Sequence, residues 1–228
     1  MKKYDVFLFD ADDTLYDFAK SEEVAMRTAF TDCGFAYSES VLRAYIEINR
    51  KAWDDFGKGV ISKSELQTLR FSRLLDSLGL RWDADDLNAR YLFELGKGTY
   101  LIEGAYDICK AIAGAGKLIY IVTNGILATQ QSRIKHSLIK DFVSDFFVSE
   151  FVGCQKPQKE YFDYVFAHIP AAGKDKMLIV GDSLASDIAG GNNAGIDTCW
   201  FNERGAPNDS GITPTYEIKE LAKLLIFI

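Results

Sequence analysis

The chain has 228 residues, 48% hydrophobic and 26% charged, ordinary globular usage that disfavours disorder, collagen and coiled coil. A formal charge of −7 is wrong for a general binder of nucleic-acid polymers or anionic membranes, which needs a basic face. Cysteines 33, 109, 154 and 199 form no Cys-x-x-Cys pair and only His136 and His168 are available to join them, so neither a structural zinc nor a disulfide framework is expected.

Lys2 and Lys3 precede an apolar run of only four residues, Val6 to Phe9, too short for an export signal; a cytoplasmic protein is expected. That run reads as the first strand and stops at Asp10. Residues 17–100 carry four helical patterns and no strand signal. The first starts at Ser21-Glu22-Glu23 and ends near Gly34, and the second runs from Val41 to Gly57. The third opens on the capping box Ser62-Lys63-Ser64-Glu65 and closes at Gly79, and the fourth covers residues 83–95.

Beyond residue 100 the period changes. Short runs that are apolar without alternation recur at residues 118–122, 146–148, 177–180 and 198–201. Helical patterns fill residues 105–113, 129–138, 160–169 and 185–194. Continuous apolar runs suit strands covered on both faces, and strand–helix alternation implies right-handed crossovers. The expected fold is therefore α/β, a doubly wound parallel sheet formed by residues 1–16 and 101–228, with residues 17–100 inserted as a helical subdomain. The apolar end, residues 224–228, is expected to close a packed helix or strand.

Each strand ends at a polar cluster: Asp10, Thr123-Asn124-Gly125, Ser149-Glu150, Gly181-Asp182-Ser183 and Asn202-Glu203. Ligands of open parallel sheets sit beyond these carboxyl ends. Polar loops explain Asn202 and Glu150 well enough. They explain poorly why several carboxylates should converge where they repel one another. A hard divalent cation such as Mg²⁺ relieves that repulsion.

Taken in order, Asp10-Ala11-Asp12-Asp13-Thr14, Thr123, Lys156-Pro157 and Gly181-Asp182 with Asp187 resemble the four motifs of the haloacid dehalogenase-like (HAD) hydrolase superfamily. The resemblance implies a Rossmann-like core with a mobile helical cap of the C1 type, inserted where residues 17–100 stand. It implies a Mg²⁺ site made by the Asp10 and Asp182 side chains and the Asp12 backbone carbonyl, with Asp187 ligating or supporting it. It also implies Asp10 as nucleophile, Asp12 as general acid and base, and Thr123, Asn124 and Lys156 as holders of the phosphoryl oxygens. Thr14 would support the loop. The loops are most similar to bacterial pyrimidine 5′-nucleotidases, so a small phosphate ester is the expected partner, with the chain a monomer or weak dimer. Tyr16, Phe18, Asn49, Trp53 and Arg70 are the candidates for contacting the leaving group. Trp53 also fits a helical core stripe, Tyr16 and Phe18 also fit hinge packing, and Arg50, Arg70 and Arg73 also fit solvated positions.

Competing readings are separable. A haloacid dehalogenase has no use for Asp12 as acid and base. A phosphomutase keeps every motif but isomerises a sugar phosphate instead of releasing phosphate. A receiver-like signalling module is smaller and carries its phosphorylated aspartate after a later strand.

Overall fold

The computed structural model describes residues 2–170 and 173–228. Six parallel strands form one sheet in the order β3-β2-β1-β4-β5-β6. They are β1 (Val6–Phe9), β2 (Leu118–Thr123), β3 (Asp145–Val148), β4 (Met177–Gly181), β5 (Asp197–Phe201) and β6 (Tyr216–Ile218). The first strand is central, with Val6 opposite Leu118 on one side and Met177 on the other. Chain order reverses between β1 and β4, the topological switch point at which such sheets bind ligands.

The lack of alternation in the strands is explained by what covers them. Phe7 and Phe9 join Ile119, Ile121, Leu178 and Val180 in a core with α5 (Ala105–Gly114) and the 3₁₀ segment Leu221–Phe227. Val6 and Leu8 join Val122, Met177 and Ile179 on the opposite face, against Tyr161, Phe162 and Val165 of α8 (Lys159–His168), which follows the single turn α7 (Ser149–Val152). The C-terminal apolar run is thus packed, as expected, with Leu224 fully buried and Phe227 nearly so.

Residues 19–98 form a second compact unit, distinct from residues 1–18 with 99–228. Its helices are α1 (Phe18–Asp32), α2 (Glu39–Gly57), α3 (Lys63–Leu78) and α4 (Ala84–Leu95). Tyr45, Phe71 and Tyr91 meet pairwise at 5.2–5.3 Å between ring centroids and centre this unit. The capping box is formed: Glu65 N–H donates to Ser62 Oγ at 3.2 Å and Ser62 N–H to Glu65 Oε2 at 2.7 Å. Gly79 ends α3 in the left-handed conformation that glycine adopts freely.

Among the differences from the sequence reading, three bear on the architecture. Helix α1 begins at Phe18 rather than at Ser21, whose hydroxyl instead donates to the Gly98 carbonyl at 3.4 Å. The helix expected over residues 185–194 opens with a π-helical turn, Leu184–Ile188, before α9 (Ala189–Ala194). The edge strand β6 was not anticipated, since it has three residues and one is charged. Among the described residues, no helix is long and apolar enough to cross a membrane.

Candidate active site

Asp10 follows β1 immediately, and its N–H still donates to the Val180 carbonyl at 2.9 Å, so the sheet fixes its backbone. The chain then turns tightly. Leu15 and Tyr16 N–H groups both donate to the Ala11 carbonyl, and Asp13 N–H donates to Tyr16. Asp13 takes the left-handed conformation, φ 56°, which aspartate tolerates better than most residues. Thr14 is fully buried, and its hydroxyl has no hydrogen-bond partner among the described residues, so it supports the loop by packing alone.

Beyond β4, the π-helical turn brings Asp187 back under the sheet end, where it is fully buried. Its Oδ2 accepts from the Ser183 N–H at 3.1 Å. Gly181 makes this possible. A Cβ there would lie 2.3 Å from both Asp187 Cγ and Oδ2, and that buried carboxylate is held in place by Ser183 and Lys156. Gly181→Ala is expected to displace Asp187, costing about 1–3 kcal/mol by overpacking. Urea unfolding of the variant would show it, and an unchanged midpoint would contradict the packing described.

One carboxylate oxygen from each of Asp10, Asp182 and Asp187 lies within 4.8 Å of the others. Lys156, itself buried, donates to Asp10 Oδ1 at 2.6 Å, Asp187 Oδ1 at 2.6 Å and the Val122 carbonyl at 2.7 Å. Three carboxylates against one ammonium leave two negative charges in a confined space. The crowding registers in the acidities of Asp10 and Asp182. Burial, and then the neighbouring Asp187, push Asp10 up to about 7 despite Lys156, and burial with Asp10 and Asp187 pushes Asp182 well above the carboxylate range. Burial alone would lower the Lys156 pKa, but the two carboxylates beside it raise it instead. Oxygen donors carrying an excess of two negative charges fit a hard divalent cation such as Mg²⁺.

The neighbouring loops are tied together. Asn124 Oδ1 accepts from Lys156 N–H at 3.0 Å while its Nδ2 donates to the Lys156 carbonyl at 2.9 Å, so the segment after β2 clamps the lysine backbone. Thr123 Oγ1 accepts from the Gly125 N–H at 3.0 Å. Trp200 Nε1 donates to the Asp182 carbonyl at 2.8 Å. Glu150 has the plain role anticipated for it, accepting from the first N–H of α6 (Leu127–His136) at 2.9 Å, and Asn202 bonds Ala206 and Glu217.

Asp12 stands apart from the carboxylate cluster. Its Oδ1 pairs with Arg133 and its Oδ2 accepts from Gln130 Nε2 at 2.7 Å, both from α6. Neither donor was anticipated. Their only trace in the sequence is that Gln130 and Arg133 fall on the same helical face as the apolar Ile134.

The candidate leaving-group residues are mostly engaged elsewhere. Tyr16 is fully buried with its ring 4.6 Å from the Arg133 guanidinium, which is a packing role. Arg70 is 2% exposed, not solvated, and donates to Asn49 Oδ1 at 3.1 Å and Asn88 Oδ1 at 2.8 Å. Asn49 in turn donates to Glu22 at 2.8 Å. A buried guanidinium needs such partners, so Asn49 and Arg70 form a polar network inside the helical unit. Trp53 is half-buried, edge to face with Phe56 at 5.7 Å, and Phe18 is also half-buried.

A family model for haloacid dehalogenase-like hydrolases matches residues 4–195. The HAD-hydrolase YfnB of Bacillus subtilis is 43% identical over 224 residues, 98% of this chain and 95% of that protein. Its magnesium-bound crystal structure, described as revealing interdomain movement, superposes with a TM-score of 0.92 over 98% of this chain and 97% of the other. The pyrimidine 5′-nucleotidases PynA of Streptococcus pneumoniae and YjjG of Escherichia coli are 36% and 32% identical, each over 97% of this chain and 94% and 96% of their own lengths. Motifs, sheet order and near full-length relatives agree, and the chain belongs to the haloacid dehalogenase-like hydrolases.

Proposed function

We propose that the chain is a Mg²⁺-dependent phosphomonoesterase that hydrolyses a pyrimidine nucleoside 5′-monophosphate through an aspartyl-phosphate on Asp10, with residues 19–98 serving as the cap. The observation that carries the chemistry is the Asp10 carboxylate at the switch point, held at 2.6 Å by a buried lysine beside Asp182 and Asp187. The substrate class rests on PynA and YjjG, which share the whole length of the chain.

Asp10 and Asp182 through their side chains, and Asp12 through its carbonyl, would hold the cation, with Asp187 ligating it or supporting it; when bound, it offsets the charge of the carboxylates and the incoming phosphate. The free oxygen of Asp10 attacks phosphorus in line with the ester oxygen. A bond from Asp10 oxygen to phosphorus forms as the bond to the leaving oxygen breaks. Asp12 gives that oxygen its proton, so the nucleoside leaves as a neutral alcohol. The phosphoryl oxygens rest against Lys156, Thr123 and the Asn124 N–H, charge and donors fixed before the reaction starts. Water then attacks the same phosphorus, giving its proton back to Asp12, and Asp10 is released with inorganic phosphate.

The test is phosphate release from a panel of esters, with Mg²⁺ and with EDTA. Pyrimidine monophosphates such as dUMP, UMP and dTMP are expected to exceed purine monophosphates, glucose phosphates and phosphoglycolate in kcat/KM, and EDTA to abolish release. Preference for a sugar phosphate or phosphoglycolate would overturn the substrate assignment alone. An isomerised sugar with no free phosphate would mean a phosphomutase, and no reaction with any ester would overturn the enzyme reading.

A further inference from the structure

We propose that Arg133 and Gln130 are the positioning residues of Asp12, fixing its carboxylate in the attitude from which it exchanges a proton with the substrate oxygen. The proposal rests on the acid and base role of Asp12 given above.

Four observations converge on it. First, the two oxygens of Asp12 are divided between two donors, Oδ1 to Arg133 and Oδ2 to Gln130 Nε2 at 2.7 Å, which fixes the plane of the carboxylate as well as its place. Each oxygen has two lone-pair sites, so one can accept the fixing bond while the other carries or takes a proton. Second, the donors lie three residues apart on α6 and so share one face of it, and α6 begins directly after the Thr123-Asn124-Gly125 segment. The helix that follows the phosphate-holding residues is thus also the one that sets the acid.

Third, the burial is asymmetric. The Arg133 side chain is wholly buried, whereas that of Asp12 is 28% exposed. The guanidinium lies 4.6 Å from the centre of the Tyr16 ring, and Tyr16 closes the same turn that carries Asp12, through the bond from Asp13 N–H to its carbonyl. A buried ion pair is seldom worth more to stability than apolar residues of the same shape. Burying this arginine beneath a partly open carboxylate therefore makes little sense as a contribution to the core. It makes sense as a fixed support.

Fourth, Gly125 leaves the space the support needs. A Cβ at Gly125 would stand 2.4 Å from Gln130 Nε2, 2.9 Å from Cγ and 3.0 Å from Cδ, so the glutamine crosses over that glycine on its way to Asp12.

The experiment compares kcat/KM of Arg133→Met and Gln130→Met on two esters: p-nitrophenyl phosphate, whose leaving group needs no proton, and dUMP or whichever alkyl ester the panel favours. The same variants are made again on an Asp12→Asn background. General acid catalysis contributes on the order of 10²–10⁴-fold, and partial misplacement of the acid should forfeit roughly 10- to 100-fold. That loss is expected on the alkyl ester, with less than about threefold on the aryl ester, and almost none on the Asp12→Asn background, because residues acting through one group are not additive. Equal losses on both esters, or losses that persist without Asp12, would make the two residues merely structural and overturn the proposal. If Asp12→Asn itself loses equally on both esters, it is the acid reading of Asp12 that fails, taking the proposal with it. Gln130→Met removes one neutral donor and carries the test if Arg133→Met does not fold.

Discussion

Asp10→Asn is expected to abolish phosphate release while the protein stays folded, and in EDTA at pH 8 to unfold at a temperature no lower than the parent. The expected loss in kcat is at least about 10⁴-fold, roughly 5.5 kcal/mol of transition-state stabilisation, because an amide cannot form the aspartyl-phosphate on which both proposed half-reactions depend. Stability should move the other way for a reason already visible in the site. Burial and Asp187 push the Asp10 pKa up to about 7 even with Lys156 in contact, so at pH 8 the folded protein holds an ionised carboxylate that its surroundings disfavour. A neutral amide of the same shape relieves that, and Lys156 keeps Asp187 and the Val122 carbonyl as partners. Loss of function with gain of stability is the usual mark of a residue kept for chemistry. Thermal unfolding and phosphate release on one preparation check both halves. Residual turnover near that of the parent would remove Asp10 from the nucleophile's role.

How much of this was legible beforehand depends on whether a residue's setting is local in the chain. The five longer strands were readable because each is a run apolar on both faces, and both faces are covered. The carboxylates at their ends were readable for the same reason: an ionisable residue directly after a buried strand has only the sheet's edge to occupy. Thus Asp10 and Asp182 could be named from position, whereas Asp187 and Lys156 came with the resemblance to the family motifs, and the three carboxylates do gather. Asn202 and Glu150, equally polar and equally placed, could be set aside because loops supply partners such as Glu217 and the Leu127 N–H.

What stayed hidden depends on packing between distant segments. Gln130 and Arg133 lie in a helix whose polar residues look solvated until the turn after β1 is placed above them, 118 and 121 residues away in sequence. Arg70 misleads in the same way, since its partners Asn49 and Asn88 come from two other helices. The π-helical turn at Leu184–Ile188 has no propensity signal; it exists because Asp187 must reach Lys156 and the Ser183 N–H together. Strand β6 escaped because an edge strand of three residues with a central glutamate has neither length nor continuity.

Lys156→Met should be the single change most damaging to stability, and it should cost turnover as well. The lysine is 2% exposed and stands between Asp10 and Asp187, each at 2.6 Å. Removing one partner of a buried ion pair leaves uncompensated charge and costs about 3–5 kcal/mol. For a chain of this size each kcal/mol shifts Tm by roughly 2–4 °C, so a drop on the order of 10 °C follows in EDTA at pH 8. The deficit should shrink on acidification. Lys156 is what restrains the rise of the Asp10 pKa, so without it Asp10 titrates higher still, and the folded state binds a proton that the unfolded state, with its ordinary carboxylates, does not. Stability then falls with rising pH across the window from the unfolded carboxylate range to beyond pH 7, and is recovered as pH falls through it. A divalent cation works in the same direction as acid by neutralising the same charges, so Mg²⁺ should restore part of the Tm at pH 8. Turnover should not be restored with it, because in the proposed mechanism the lysine also steadies the phosphoryl oxygens, and a loss of roughly 10²–10³-fold is expected for a fixed charged donor of this kind. Melting curves at pH 5.5 and 8, with EDTA and with Mg²⁺, separate the two contributions. A Tm deficit independent of both pH and metal would mean that the lysine is held by packing rather than by the charges around it.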